Sequence, residues 1–296
     1  MKFIYLFLAI FLTFTPANAK DWKALWITSD RCQSITNSWI CYQKNVELPA
    51  LDGSPVYADI AVDSKYWMWI NGEMVVFEGG LKRGPNPTDT YYDHVNIGPY
   101  LTEGKNFIAI LLWYFGKDGF SHNSSGRAGL LFDCQTDQFQ ILSDASWKCK
   151  PYEAYEQTGA PYPNWRLPES NIRFDARKEY IGWTEKGANP NFHRAVPLGK
   201  AGMAPWNNLV ERPIPLWKDF GIQDYLSIEK RNGAEIDTFY CKLPYNCQTT
   251  PFLDVVAPQA RKSRYRLTIS WEVASRMCVR NTSPKKDSKP TNPWAG

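Results

Sequence analysis

Residues 65–77 read K-Y-W-M-W-I-N-G-E-M-V-V-F, and this stretch indicates how the chain folds. Its first half alternates, so that every second side chain points to the same side of an extended strand and Trp67 and Trp69 share one face. Asn71-Gly72 separates it from a second apolar run, and both positions of a two-residue hairpin turn favour residues that tolerate positive φ. The stretch therefore predicts a β-hairpin.

Short apolar runs separated by turn residues continue on both sides of this hairpin. Residues 56–62 alternate between apolar and polar side chains, as a half-buried strand does. Residues 107–114 are apolar on both faces, which predicts a central strand buried on both sides. Because helical periodicity is absent, we predict an all-β fold, an antiparallel β-sandwich of the jelly-roll type, over residues 20–198.

The chain after the sandwich is predicted to hold a linker and part of another domain. Residues 199–221 contain several prolines and read as an extended linker. Strand-like patterns follow, but the composition changes after Pro258. Residues 222–258 are therefore predicted to be the start of a second β-domain that is incomplete, and residues 259–296 a basic tail.

The formal net charge of +4 conceals an uneven distribution. Residues 259–296 hold nine basic and two acidic residues, and the rest of the chain holds 25 and 28. One interpretation of the tail is a disordered basic segment. The other is a one-nucleotide frameshift, because codons can be chosen so that a neighbouring frame encodes strand-like alternation. The body is mildly acidic and has no basic patch with interleaved aromatic side chains, so we expect no nucleic-acid partner.

Residues 1–19 have the pattern of a signal peptide. Lys2 is basic, an apolar run extends from Phe3 to Phe14, and Ala17-Asn18-Ala19 matches a cleavage site. The apolar run is shorter than the ~20 residues that span a bilayer, and no later stretch comes close. We therefore expect an exported protein, periplasmic or extracellular, without a membrane span.

Seven cysteines in an exported chain could form disulfides. The alternative is that they are small buried side chains. No cysteine or histidine has metal-site spacing and no phosphate-binding loop occurs, so we expect no metal and no cofactor. The plausible local pairs are Cys32 with Cys41, Cys134 with Cys149, and Cys241 with Cys247.

Three motifs lie within the predicted sandwich: A-D-I-A-V-D-S-K-Y (58–66), W-I-N-G (69–72) and Y-Y-D-H-V-N-I (91–97). They resemble the N-terminal, non-catalytic part of bacterial α-L-rhamnosidases, which are glycoside hydrolases. Residues 167–177 and 209–221 also look like that family. Part of the pattern recurs in jelly-roll domains of β-galactosidases and β-glucuronidases, and the fold that the resemblance implies is a galactose-binding-like jelly roll.

The resemblance implies an accessory role. In that family the catalytic carboxylates lie in a later (α/α) barrel, which we expect to be missing here, so no catalytic residue is assigned. The expected function is that of an accessory N-terminal fragment of an exported α-L-rhamnosidase, inactive alone, whose partners are a rhamnose-containing glycan or the missing barrel. Two alternatives stay open: a free-standing carbohydrate-binding module, and the accessory end of another exported glycosidase such as a β-galactosidase.

Trp67 and Trp69 are the candidate carbohydrate-binding residues. On one face of a strand with a rise of ~3.3 Å per residue they lie about 7 Å apart, which suits stacking on adjacent sugar units. The alternative is that they pack against a neighbouring domain or against residues 152–199. Asp89 and Asp93 resemble a pair of catalytic carboxylates, but Asp readily caps turns, and we favour that interpretation.

Overall fold

The computed structural model describes residues 20–81, 84–120, 122–157, 172–185, 191–218, 220–221, 223–232 and 238–243. The predicted signal peptide and the predicted basic tail both lie outside these residues. So do Cys247 and the strand-like pattern at 252–256. None of the described residues forms a helix long and apolar enough to cross a bilayer.

The described chain forms seventeen β-strands and two single 3₁₀ turns, at Gly98–Tyr100 and Ala176–Lys178. The strands are β1 (Leu25–Thr28), β2 (Ser38–Leu48), β3 (Tyr57–Asp63), β4 (Lys65–Ile70), β5 (Glu73–Gly80), β6 (Thr90–Asn96), β7 (Gly104–Tyr114), β8 (Gly129–Gln135), β9 (Gln140–Leu142), β10 (Lys148–Pro151), β11 (Tyr155–Gln157), β12 (Ile172–Phe174), β13 (His193–Arg194), β14 (Val196–Lys200), β15 (Leu209–Glu211), β16 (Ser227–Arg231) and β17 (Thr238–Lys242).

Two sheets form the sandwich. Sheet 1 has the order β14-β1-β8-β3-β6-β15, with β9 paired to β8, and sheet 2 has the order β13-β10-β2-β7-β4-β5. Every pairing in the two sheets is antiparallel except that of β15 with β6. The prediction of an all-β antiparallel sandwich is confirmed.

The main core lies between the two sheets and follows the alternation in the sequence. Ile60 and Val62 of β3 belong to the same buried cluster as Met68 of β4 and Ile110 of β7. Burying one such side chain stabilises the fold by about 1.5–3 kcal/mol. Strand β7 lies between β2 and β4, and its residues from 106 onward are buried on both faces. The predicted central strand is confirmed.

The predicted hairpin joins β4 to β5 and is fixed to its neighbours by the turn itself. Asn71 and Gly72 have φ of 55° and 89°, as both turn positions require. The Asn71 side chain accepts from the backbone N of Phe107 at 3.0 Å and donates to the backbone O of Tyr100 at 2.9 Å. The turn is therefore held on β7 and on the loop that precedes it.

The segment predicted to be a linker contributes to sheet 1. It holds the last two residues of β14, which pairs with β1, and all of β15, which pairs in parallel with β6. The sheet therefore continues to Glu211, beyond the predicted domain end at residue 198, because these residues complete its two edges. Strands β16 and β17 form a separate hairpin where strands of a second β-domain were predicted, and the incompleteness of that domain stays a prediction.

The cysteines that the structure describes are free thiols. Cys32 belongs to the core between the sheets, while Cys41 points to the opposite face of sheet 2. Cys134 and Cys149 face the same core from different sheets, which pack ~10 Å apart, whereas a disulfide needs Cα atoms within about 7 Å. The two predicted disulfides among these four residues are wrong, and the alternative of small buried side chains holds for them.

Candidate functional site

The two candidate sugar-binding residues lie on the outer face of sheet 2. Trp67 and Trp69 share one face of β4, as predicted, but they are only 3% and 4% exposed. The Trp67 ring stacks near Trp39 with centroids 5.6 Å apart, and Trp69 meets Trp183 edge-on at 5.5 Å. Both indoles are therefore part of a buried aromatic cluster.

That cluster is closed by residues that follow β10. The ring of Tyr155 in β11 stacks on Trp39 with centroids 4.1 Å apart, and Phe192 belongs to the same cluster. We call these residues after β10 the cover. A hydrogen bond of 2.6 Å from Gln43 Nε2 to the Trp183 backbone O attaches the cover to β2. The pair thus packs against the 152–199 segment. Sugar stacking by Trp67 and Trp69 stays a prediction, and it requires the cover to move.

A polar cluster that sequence reasoning missed lies at one end of the sandwich. It joins Asp63 and Ser64, at the junction of β3 and β4, to His122 and Ser125 in the loop between β7 and β8. Asp63 Oδ1 accepts from Ser64 Oγ at 2.6 Å and lies 3.1 Å from His122 Nε2. Asp63 Oδ2 accepts from both the backbone N and the Oγ of Ser125, each at 2.6 Å.

The Asp63 carboxylate is held in its charged form although its side chain is fully buried. Burial alone would raise its pKa. The hydrogen bond from His122 and its electrostatic attraction, followed by the hydrogen bonds from Ser125 and Ser64, outweigh burial and hold the pKa of the Asp63 carboxyl below its usual value. The cluster thus supplies the donors that a buried carboxylate needs.

Ser, His and Asp are the residue types of a hydrolytic triad, but their arrangement here differs from one. In a triad the histidine lies between the serine and the aspartate. Here Ser64 Oγ donates directly to Asp63 and accepts from the backbone N of Phe115 at 3.0 Å. Since Ser64, His122 and Asp63 are all 0% exposed, no substrate reaches the hydroxyl. The cluster anchors the loop between β7 and β8 to the sandwich.

Asp89 and Asp93 also have structural partners. Asp93 pairs with Arg212 and accepts from the backbone N of Gly80 at 2.8 Å, and burial raises the pKa of its carboxyl. Asp89 accepts from Asn86 Nδ2 at 2.7 Å. Asp89 holds its own loop through Asn86, whereas Asp93 lies in strand β6 and fixes Arg212 and β5 and caps no turn.

The predicted linker is strapped to sheet 1 directly after β15. Arg212 pairs with Asp93 and donates its backbone N–H to the Tyr92 backbone O at 2.9 Å, directly after β15 ends. The next eight residues carry three large exposed apolar side chains, which we call the apolar strip. They are Ile214, Trp217 and Phe220, exposed by 63%, 59% and 70%.

No group of His, Cys, Asp and Glu side chains within the described ranges is arranged to hold a metal ion. No protein-family model matches the sequence, and no curated protein matches it.

Solved structures do match. A GH78 family rhamnosidase of Bacillus sp. GL1 is 28% identical and superposes with a TM-score of 0.64, covering 72% of this chain. The resemblance to the N-terminal part of α-L-rhamnosidases is confirmed. An α-L-rhamnosidase from Dictyoglumus thermophilum, 18% identical over 71% of this chain with a TM-score of 0.52, shares the fold. The chain spans only 22% and 24% of these two rhamnosidases.

Proposed function

We propose that this chain is the accessory N-terminal β-region of an exported α-L-rhamnosidase that acts on rhamnose-containing glycans. The likeness to the Bacillus rhamnosidase carries the proposal, because it extends over most of this chain and less than a quarter of the enzyme. In this proposal the catalytic (α/α) barrel is a different domain of the enzyme, and the β-sandwich described here supports that domain.

The apolar strip is the surface proposed to contact the rest of the enzyme. Monomeric proteins rarely leave several large apolar side chains exposed together, and such patches mark interaction sites. Here the strap formed by Arg212 and Asp93 fixes where the strip leaves sheet 1. Covering each of its side chains would stabilise the contact by about 1.5–3 kcal/mol.

Absence of hydrolysis by this chain alone is part of the proposal. Asp89 and Asp93, the carboxylates that most resembled a catalytic pair, bind Asn86, Arg212 and the backbone N–H of Gly80. Inverting glycosidases need an acid and a base about 6.5–9.5 Å apart across the sugar. Carboxylates engaged in fixing the fold are poor candidates for either role.

Export is proposed to remove residues 1–19, and the local structure supports a mature start at Lys20. The Lys20 ammonium pairs with Asp59 and lies 3.4 Å from Asp133 Oδ1. Asp133 Oδ2 accepts from the backbone N of Lys23 and of Ala24. The chain is thus attached to sheet 1 from its first mature residue.

The test compares this chain with a longer product made by continuing into the downstream DNA. The longer product is expected to hydrolyse an aryl α-L-rhamnoside and the chain alone is not. In the longer product, Trp217→Ala and Phe220→Ala should speed proteolytic cleavage near the linker, whereas Ile181→Ala, a control at a residue 71% exposed on another surface, should not. The proposal is contradicted if the downstream DNA encodes no (α/α) barrel in any reading frame. It is also contradicted if the pure short chain hydrolyses the aryl α-L-rhamnoside.

A further inference from the structure

The outer face of sheet 1 is covered over only half of its length. Near Ala61 and Leu131 it is closed by Trp206, which stacks on Trp26 with centroids 4.2 Å apart. Two residues further along, Asp59 of β3 and Asp133 of β8 are still buried, and the face opens at His94 and Asn96 of β6 and at Tyr57, which is exposed by 43%. We call this open half the Tyr57 surface.

The centre of the Tyr57 surface is a pair of parallel rings. Tyr57 and His94 stack with centroids 4.3 Å apart and planes 10° apart, and the His94 side chain is 41% exposed. His94 Nδ1 lies 2.5 Å from Asp59 Oδ1, and Asp59 Oδ2 pairs with Lys20. The contact with Asp59 therefore holds the His94 ring in place, and Tyr57 packs against that ring.

Amide side chains surround the rings. Asn96 lies directly opposite Tyr57 on β6 and is exposed, and Gln135 and Gln140 are paired with each other on β8 and β9. By strand alternation all of them point to the same side as Tyr57. With strands ~4.8 Å apart, the surface spans roughly 14 Å across the four strands β6, β3, β8 and β9, enough for one or two pyranose rings.

The chemistry of this surface suits a neutral sugar. An aromatic ring packs against the C–H face of a pyranose, and an amide both donates and accepts hydrogen bonds, as a hydroxyl group does. The Asp59 carboxylate pairs with Lys20, which also lies 3.4 Å from Asp133, and it contacts His94. The two buried carboxylates thus have partners within the fold, and the exposed groups on this surface are rings and amides.

We propose that the Tyr57 surface binds a neutral glycan, with the Tyr57–His94 pair as the stacking platform, Asn96 and Gln140 as hydrogen-bonding groups, and Gln135 as an acceptor, since its Nε2 already donates to the Asp21 backbone O and to Asp133 Oδ1. The site differs from Trp67 and Trp69, which lie under their cover on sheet 2. It rests on the proposed function only for the choice of an α-L-rhamnoside as the first ligand to test.

The experiment titrates the mature chain, residues 20–296, with methyl α-L-rhamnoside and, separately, with methyl β-D-galactoside. The imidazole C–H signals of His94, identified with the His94→Gln variant, are followed by NMR. A monosaccharide on one open face is expected to bind with a Kd on the order of 1 mM, and saturation should shift the His94 signals. Tyr57→Phe should keep this binding, because it keeps the ring.

Tyr57→Ala is expected to weaken binding at least ~5-fold, because it removes half of the platform. Tyr240→Ala is the control, since Tyr240 is similarly exposed at 49% on the separate hairpin of β16 and β17. Unchanged thermal melting of Tyr57→Ala would show that the loss comes from the site and not from unfolding.

The outcomes separate the site from the proposed function. Binding of the galactoside alone would support the Tyr57 surface and count against a rhamnosidase. His94 signals that neither sugar moves, or equal binding by Tyr57→Ala, would overturn the site and leave the proposed function to its own test.

Discussion

Replacing Asp63 with Asn tests whether the buried cluster at the end of the sandwich fixes the loop between β7 and β8. The side chain keeps its size but loses its charge. Asp63 Oδ2 accepts two hydrogen bonds from Ser125. An amide can place its oxygen toward either Ser125 or His122, and its NH₂ group then faces donors on the other side.

The expected cost follows from these contacts. Hydrogen bonds to a charged group contribute about 1.5–3 kcal/mol each, and breaking a buried pair by changing one partner costs about 3–5 kcal/mol. His122 Nδ1 has no hydrogen-bond partner within the described chain, so the ring depends on Asp63 and Ser64. We therefore expect Asp63→Asn to lower the free energy of unfolding by about 3–5 kcal/mol.

Urea unfolding of residues 20–296, followed by tryptophan fluorescence, measures this change. Asp137→Asn is the matched control, because Asp137 is exposed in the turn between β8 and β9, and its effect should stay within about 0.5 kcal/mol. A loss below about 1 kcal/mol in Asp63→Asn would refute the reasoning, since it would mean that the cluster contributes little beyond filling space.

Three further predictions concern pH, the hairpin turn and the thiols. Because the folded pKa of Asp63 lies below its unfolded value of ~3.9, its stabilisation should be present above that pH and fade below it, so acid titration should destabilise the wild type more than Asp63→Asn. Asn71→Ala should lower the urea midpoint by an amount corresponding to about 2–3 kcal/mol, because it removes the turn's contacts with β7 and places a Cβ at positive φ, whereas Asn123→Ala should change it little. Burial raises the pKa of the core thiols, to about 11 for Cys32 and to about 12 for Cys134 and Cys149, and it also raises the pKa of Cys41. Mass spectrometry after brief iodoacetamide treatment of the native chain should therefore find the exposed Cys241 alkylated and these four core cysteines unmodified.

The local features of the fold could be predicted because they depend on neighbours in sequence. Alternation at residues 65–70 and the Asn71-Gly72 pair require only a strand period and a turn that accepts positive φ, and both occur as predicted. The two-sided apolar run at 107–114 likewise placed β7 in the middle of a sheet. The disulfides could not be predicted this way, because short separation in sequence does not place two thiols on the same face.

The candidate sites depended on contacts that the sequence does not record. Ser64 and His122 are 58 residues apart, and nothing in either neighbourhood marks them as partners. The alternation correctly placed Trp67 and Trp69 on one face but gave no information on which segment packs over that face.

The sequence by itself thus determined the strands, the central hairpin and the family resemblance, because alternation, turn residues and motifs are local properties. Only the tertiary structure decided which aromatic faces stay open. Burial depends on how distant segments pack: the residues after β10 close over Trp67 and Trp69, while Trp206 stops short of Tyr57 on the opposite sheet.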